Sequence, residues 1–255
     1  MRGRVFLTLV ITMVTVLWPL AAAGPAVPAA AAGVVAARPP APAVGALFTV
    51  RGGRLGTHFC TASVVDSPAG NLLITAAHCL AGYSGTDPAG VAFVPGYDHG
   101  ATPFGIWTVT RIFVDSGWAK SGRADDDVAF LTVARAAGGR EIEQATGAEV
   151  LGTGQGAGTV VQVTGYPDTS GRPVSCSNVV TGFSAGQLEF DCDGYTDGTS
   201  GSPFLIRGGA AGGRADLVIG VIGGYQQGGD SPDVSYAAAF GPAVAALYET
   251  AAGGG

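Results

Sequence analysis

"TDGTSGSPF", residues 196–204, decides how this chain is read. One serine, Ser200, stands between Thr199 and Gly201, two residues after Gly198 and three before Pro203. The stretch has neither the period of two of a strand nor the 3.6 of a helix. Its glycines tolerate backbone angles closed to other residues, so it reads as a shaped loop, and shaped loops often carry function. Ser200 is a nucleophile or a turn residue according to what partners the rest of the chain supplies.

Two other stretches supply them. "LLITAAHC", Leu72 to Cys79, is a buried strand that runs out through Thr75 into two alanines, a histidine and a cysteine. Ala76 and Ala77 allow a tight turn, and a disulfide from Cys79 to Cys60 would hold His78 in place. Imidazoles as a class titrate near neutrality, which suits general base work. "DDDVAFLTV", Asp125 to Val133, sets a carboxylate at the mouth of an apolar strand. Asp127 adjoins that strand and is preferred to Asp125 and Asp126 as acceptor of the histidine Nδ1–H, an arrangement that sets tautomer and ring orientation. Gly198 permits a turn that aims its own N–H and that of Ser200 into one concavity, an oxyanion hole; one such donor typically contributes about 3 kcal/mol. Taken singly, the stretches have plainer readings: a core histidine beside a disulfide, a solvated cap, a loop. Their order His, Asp, Ser in one β-rich chain favours catalysis.

The frame around them is consistent. Arg2 and Arg4 precede the apolar run Val5 to Trp18 and the small residues Ala21 to Ala23. Residues 1–23 therefore read as a secretory signal peptide, with an Ala/Pro-rich linker or short pro-segment over 24–43 and the folded domain over 44–255. Arg2, Arg4 and Arg38 are the only charged residues before Val44, which leaves ten basic against nineteen acidic residues, a net charge of −9. That balance, with no basic stripe, excludes nucleic acid and anionic membrane surfaces as partners once the signal is removed. The cysteines Cys60, Cys79, Cys176 and Cys192 are an even set in an exported chain, so disulfides are expected. Three pairings are possible; the sequence-local one, Cys60–Cys79 with Cys176–Cys192, closes loops worth on the order of 3 kcal/mol each. The spacing is not that of a zinc site, and the acidic run at Asp125 lacks the further oxygen ligands a Ca²⁺ site needs, so no metal is assigned. Short β-rich runs such as "ALFTV", "NLLITA", "IWTVTRIFV", "GTVVQVTGY" and "DLVIGVIGG" alternate with Gly/Pro/Asp/Ser breaks, and only "GPAVAALYETA" from Gly241 reads as a helix. His58 is expected to pack or to face solvent on a strand beside Cys60, and His99 to lie in a surface loop.

"TAAHC", "DVAFL" and "GTSGSP" resemble the three signature blocks of the chymotrypsin-like serine peptidases, and the bacterial secreted branch is the nearest in pattern. "HFCTASVV" resembles the strand that bears the first half of that family's histidine-loop disulfide, and "LVIGVIGGY", Leu217 to Tyr225, the strand that lines the substrate cleft. The resemblance runs from Val44 to Thr250. It implies an all-β fold of two six-stranded antiparallel β-barrels, with the active site between them and a short C-terminal helix. It implies peptide-bond hydrolysis through an acyl-enzyme on Ser200, without cofactor. Gly194, Tyr195, Gly223, Gly224 and Tyr225 are then the candidate substrate-cleft residues. Thr199 stands where many animal members carry an activating aspartate, so that ion-pair switch is missing. Gly194 occupies the position of the trypsin-type pocket aspartate, and the histidine of glutamate-specific enzymes would fall near Ile222, where "GVIGGY" has none. The expected protein is thus a secreted, extracellular, monomeric serine endopeptidase acting on polypeptides. A catalytically silent binding domain on the same frame, or an esterase of small substrates, are the alternatives.

Overall fold

Gly52 and Gly53 both sit at positive φ, 56° and 74°, and turn the chain back on itself between two strands that pair from Arg51↔Arg54 onward. Only a residue without a Cβ adopts such a two-residue turn cheaply, and its twist matches that of the strands it joins. This hairpin opens the first barrel of the computed structural model, which describes residues 42–83, 88–135, 138–212 and 215–254. The signal peptide expected over 1–23 and residues 24–41 of the Ala/Pro-rich segment lie outside the described residues. Among those described, no helix is long and apolar enough to cross a membrane.

Six antiparallel strands close the first barrel: β1 (Val44–Arg51), β2 (Arg54–Val65), β3 (Leu72–Thr75), β4 (Val91–Pro95), β5 (Trp107–Val114) and β6 (Ala129–Arg135), in the order β1-β2-β3-β6-β5-β4. The turn-forming residues "SPAGN", Ser67 to Asn71, carry the chain from β2 to β3, closed by Gly70 N–H donating to Ser67 C=O at 2.9 Å. The second barrel is more broken. β7 (Val150–Leu151), β8 (Val160–Gly165), β9 (Val174–Val179), β12 (Pro203–Ile206) and β13 (Leu217–Val221) form a five-stranded sheet in the order β7-β13-β12-β8-β9. β10 (Thr181–Gly182), β11 (Gln187–Asp191) and β14 (Val234–Ala238) form a three-stranded sheet beside it. A bridge between Ile222 and Ala237 and a disulfide from Cys176 to Cys192 join the two sheets. β7 pairs in parallel with β13, the one named strand pair that is not antiparallel among the described residues.

Three cores follow from these pairings. Leu47, Leu73, Phe93, Trp107 and Leu131 fill the first barrel, and Val163, Phe190, Phe204 and Ile219 the second. A third cluster lies along the seam, where Leu72, Ile74 and Phe130 meet Tyr166, Leu205, Val221 and Phe240. β3 and β6 thus bury both faces, Leu72 and Ile74 toward the seam and Leu73 toward the barrel. This explains why "LLIT" and "AFL" are unbroken apolar runs rather than alternating ones. α3 (Pro242–Gly253) starts with proline at its first turn, as expected, and lays Val244, Leu247 and Ala251 on the seam cluster. Two short helices had no sequence signal strong enough to stand out: α1 (Ser116–Ser121), capped by the Asp115 carboxylate, and α2 (Ile142–Thr146).

Glu149 sits against the end of β2. Its N–H donates to Val64 C=O at 2.9 Å, and its carbonyl accepts from Asp66 N–H at 2.8 Å. The residue is only 3% exposed, and Oε2 has no hydrogen-bond partner among the described residues. Burial pushes its pKa from 4.5 up to about 8, an effect the neighbouring Ser63 hydroxyl only partly offsets. The folded state therefore holds a proton that the unfolded chain releases. Stability is fully present below pH 4.5 and is lost as pH rises through about 8. The limiting slope is roughly 1.4 kcal/mol per pH unit across that window. Glu149→Gln should flatten the fall in stability between pH 5 and pH 8 by on the order of 2 kcal/mol or more, read by thermal melts across that range. A variant whose melting temperature falls with pH as steeply as the parent's would show that Glu149 is not the group responsible.

Candidate active site

β3 ends at Thr75, and the buried Ala76 and Ala77 let the chain turn at once into a single 3-10 turn, His78–Leu80. Cys79 is bonded to Cys60 on β2, so the turn is tied to the barrel wall. His78 keeps one edge of its ring open, with its side chain 11% exposed, and turns the other toward Asp127. The Nδ1–H donates to Asp127 Oδ2 at 2.7 Å, and the His78 backbone N–H donates to Oδ1 at 2.8 Å. A third donor, the Gly224 N–H, reaches Oδ2 at 2.8 Å from the loop that follows β13. Asp127 is fully buried, so these hydrogen bonds replace the water its carboxylate has lost.

The three aspartates of "DDD" separate clearly. Asp125 accepts from the Gln187 amide at 2.7 Å, and Asp126 pairs with the Arg123 guanidinium at 3.0 Å. Burial is the main cause that raises the Asp126 pKa, with the nearby Asp115 adding to it. Only Asp127, of the three, meets the histidine.

The loop carrying Ser200 is held by its carbonyl oxygens. Asp197 C=O accepts from Asp168 N–H at 2.8 Å, Gly198 C=O from the Thr61 hydroxyl at 3.0 Å, Thr199 C=O from Ser202 N–H at 3.0 Å, and Ser200 C=O from Thr61 N–H at 2.8 Å. In a trans peptide the C=O and N–H point in opposite directions. Anchoring Asp197 C=O and Thr199 C=O therefore turns the next N–H groups, those of Gly198 and Ser200, the other way. Neither has a hydrogen-bond partner among the described residues. Gly198 itself has φ +92°, and a Cβ there would run into Asp168 N and Tyr166 O, so no other residue fits.

His78 and Ser200 line one cavity of about 440 Å³. No hydrogen bond joins His78 Nε2 to Ser200 Oγ among the described residues; the serine hydroxyl lies 3.5 Å from Gln227 C=O, at the outer limit of a hydrogen bond. Of the cleft residues expected from sequence, Tyr195 is on the cavity wall, with its hydroxyl donating to Val163 C=O at 2.8 Å. Gly194, Gly223, Gly224 and Tyr225 do not line it. Tyr225 instead packs its half-exposed ring against Phe183 and Tyr236, centroids 4.7 and 5.0 Å away. The segment Gln226–Gly229 forms part of the wall, and Gln226 and Gln227 hold positive φ of 50° and 55°. Asp197 and Asp230 also line the cavity, and among the described residues neither Lys nor Arg does.

Several positioning groups escaped the sequence reading. Thr61, fully buried, takes the Tyr166 N–H on its hydroxyl at 2.9 Å while donating to Gly198 C=O, and its carbonyl accepts from Thr75 Oγ1 at 2.7 Å. A threonine inside the apolar run "CTASVV" was a signal in principle, since a buried hydroxyl needs partners. Gln187 accepts the Tyr225 N–H at 3.1 Å and so links the turn after β13 to Asp125. Nothing local in "GQLEF" announces this.

Solved structures with the same fold include three proteases. The protease Anisep of Arthrobacter nicotinovorans is 25% identical over 85% of this chain and 98% of its own, with a TM-score of 0.70. The thermostable serine protease AL20 of an extremophilic microorganism is 24% identical over 84% of this chain and 99% of its own, at 0.68. A Glu endopeptidase is 19% identical over 87% and 97%, at 0.65. Comparison with curated proteins gave no match. The sequence profile of the family Trypsin matches residues 32–240, most of the length, and on that ground the chain belongs to the trypsin family of chymotrypsin-like serine proteases.

Proposed function

We propose that this chain is a secreted serine endopeptidase that hydrolyses peptide bonds through an acyl-enzyme on Ser200. One observation carries the reading. Ser200 lines the same cavity as His78, its own N–H and that of Gly198 have no partner among the described residues, and Asp127 holds that histidine from behind. In this reaction Ser200 Oγ attacks the scissile carbonyl carbon, and His78 Nε2 takes its proton. Asp127 keeps the other proton on Nδ1 and stabilises the imidazolium as it forms. The two N–H groups receive the oxyanion. His78 then protonates the leaving amine, and water attacks the resulting ester with His78 again as base. The loose Ser200 hydroxyl is compatible with this course, since hydrogen bonds between nucleophile and base commonly tighten only around substrate.

The cavity argues about substrate. A side-chain carboxylate entering it would meet Asp197 and Asp230 and, among the described residues, no Lys or Arg. Like charges brought together in a partly desolvated pocket reject a ligand, so acidic residues before the scissile bond are disfavoured. Secretion is supported by the basic-then-apolar N-terminal pattern and by the two disulfides, which persist in oxidising compartments.

Ser200→Ala should fold with an unchanged melting temperature and lose turnover by about 10⁴-fold or more. A fluorophosphonate should label the folded, processed protein at Ser200 and fail on His78→Ala; unlabelled parent protein would point to a silent binding domain instead. Gly198→Ala, if folded, should lower kcat by about 10²- to 10³-fold with little change in KM. In a peptide-library digest, Glu before the scissile bond should be cleaved at least about tenfold less efficiently than neutral residues. A digest dominated by cuts after Glu would refute the electrostatic account of the cavity.

A further inference from the structure

His58 lies on β2, buried at 8% exposure, with its ring against Phe48 and Tyr97 at centroid distances of 5.4 and 5.8 Å. Its Nε2 is 2.8 Å from the carbonyl oxygen of Pro167, a residue of the other barrel. A carbonyl only accepts, so Nε2 must carry a proton for this contact to be a hydrogen bond. The same peptide unit is engaged at its other end, where Asp168 N–H donates to Asp197 C=O at 2.8 Å. The next peptide unit, Asp197–Gly198, ends in the Gly198 N–H, which has no hydrogen-bond partner among the described residues.

The groups thus form one line: His58 Nε2–H to Pro167 C=O, Asp168 N–H to Asp197 C=O, then Gly198 N–H. Hydrogen bonds in series polarise each other, each peptide becoming a stronger donor as its carbonyl is more strongly held. They also restrict rotation of each peptide plane, since a trans peptide held by its oxygen has its N–H direction set. The Tyr166 N–H, one residue upstream, is held by the Thr61 hydroxyl at 2.9 Å, which keeps the Pro167 segment from sliding along the seam.

We infer that His58 is a positioning residue: it heads a two-peptide hydrogen-bond relay that orients and polarises the Gly198 N–H for the oxyanion. This rests on the proposed peptidase reading and adds to it a second histidine with a separate task. His58 touches neither substrate nor the reacting atoms and takes no proton in the cycle.

Three measurements test it. Nitrogen-15 NMR of imidazole-labelled wild-type protein at neutral pH should find His58 protonated on Nε2; a bare Nε2 overturns the inference without any variant. His58→Phe, which keeps a ring beside Phe48 and Tyr97, should lower kcat by about tenfold with KM nearly unchanged. It should weaken a peptide aldehyde, which mimics the tetrahedral species, by a similar factor. His58→Gln carries an amide N–H near the place of Nε2 and should recover most of both losses. A folded His58→Phe with parental kcat and aldehyde affinity, or an equal loss in His58→Gln, overturns the relay and leaves the peptidase reading standing. If His58→Phe does not fold, the NMR result on the wild type decides. A wild type that neither reacts with fluorophosphonate nor cleaves peptides removes the peptidase reading, and the relay with it.

Discussion

The buried carboxylate of Asp127 is the constraint on which the rest of the site depends. A charge taken out of water is costly unless donors replace the water, and the penalty for leaving it partly satisfied runs to several kcal/mol. Its three donors come from two places in the chain: the backbone and ring of His78, at the exit of β3, and the Gly224 backbone, beyond β13. Satisfying one carboxylate therefore aligns the entrance of β6, the exit of β3 and the loop that leaves β13 in the second barrel. The Gln187 amide repeats the tie nearby, between Asp125 and Tyr225. The histidine orientation is thus a by-product of solving a solvation problem.

The serine loop follows a complementary logic. Its carbonyls are occupied by groups from both barrels, from Thr61 on one side and Asp168 on the other. The planar trans peptide then leaves the Gly198 and Ser200 N–H groups pointing where nothing binds them. A pair of unpartnered donors built this way costs no extra side chain. It does demand a residue without a Cβ at 198, because the backbone of Tyr166 and Asp168 comes too close for any other.

Both arrangements need a seam that does not slip. The cluster joining Leu72, Ile74 and Phe130 to Leu205, Val221 and Phe240 provides it, closed over by α3. Close-packed interiors transmit displacement rather than absorb it. Strands with apolar residues on both faces, such as β3 and β6, fasten a barrel core and the seam at once.

Much of this was legible in the sequence. The β-rich runs, the "SPAGN" turn, the helix begun at Pro242 and the pairing of neighbouring cysteines all depend on residues close together in the chain. So did the preference for Asp127 over Asp125 and Asp126, since only Asp127 adjoins the strand. The cleft was less legible: Gly223, Gly224 and Tyr225 were expected on its wall, and the wall is instead built in part by Gln226–Gly229. Loop residues at positive φ carry no periodicity from which to place them. The partners of His58, Thr61 and Gln187 were also out of reach, because each bonds a group far along the chain. What the residues determined unaided is the set of local shapes and chemically capable side chains, since propensity, turn geometry and burial pattern act over a few neighbours. Which carbonyl meets which donor across the seam was decided only by the packed tertiary structure, because a hydrogen bond depends on distance and angle in space and leaves no mark on spacing in sequence.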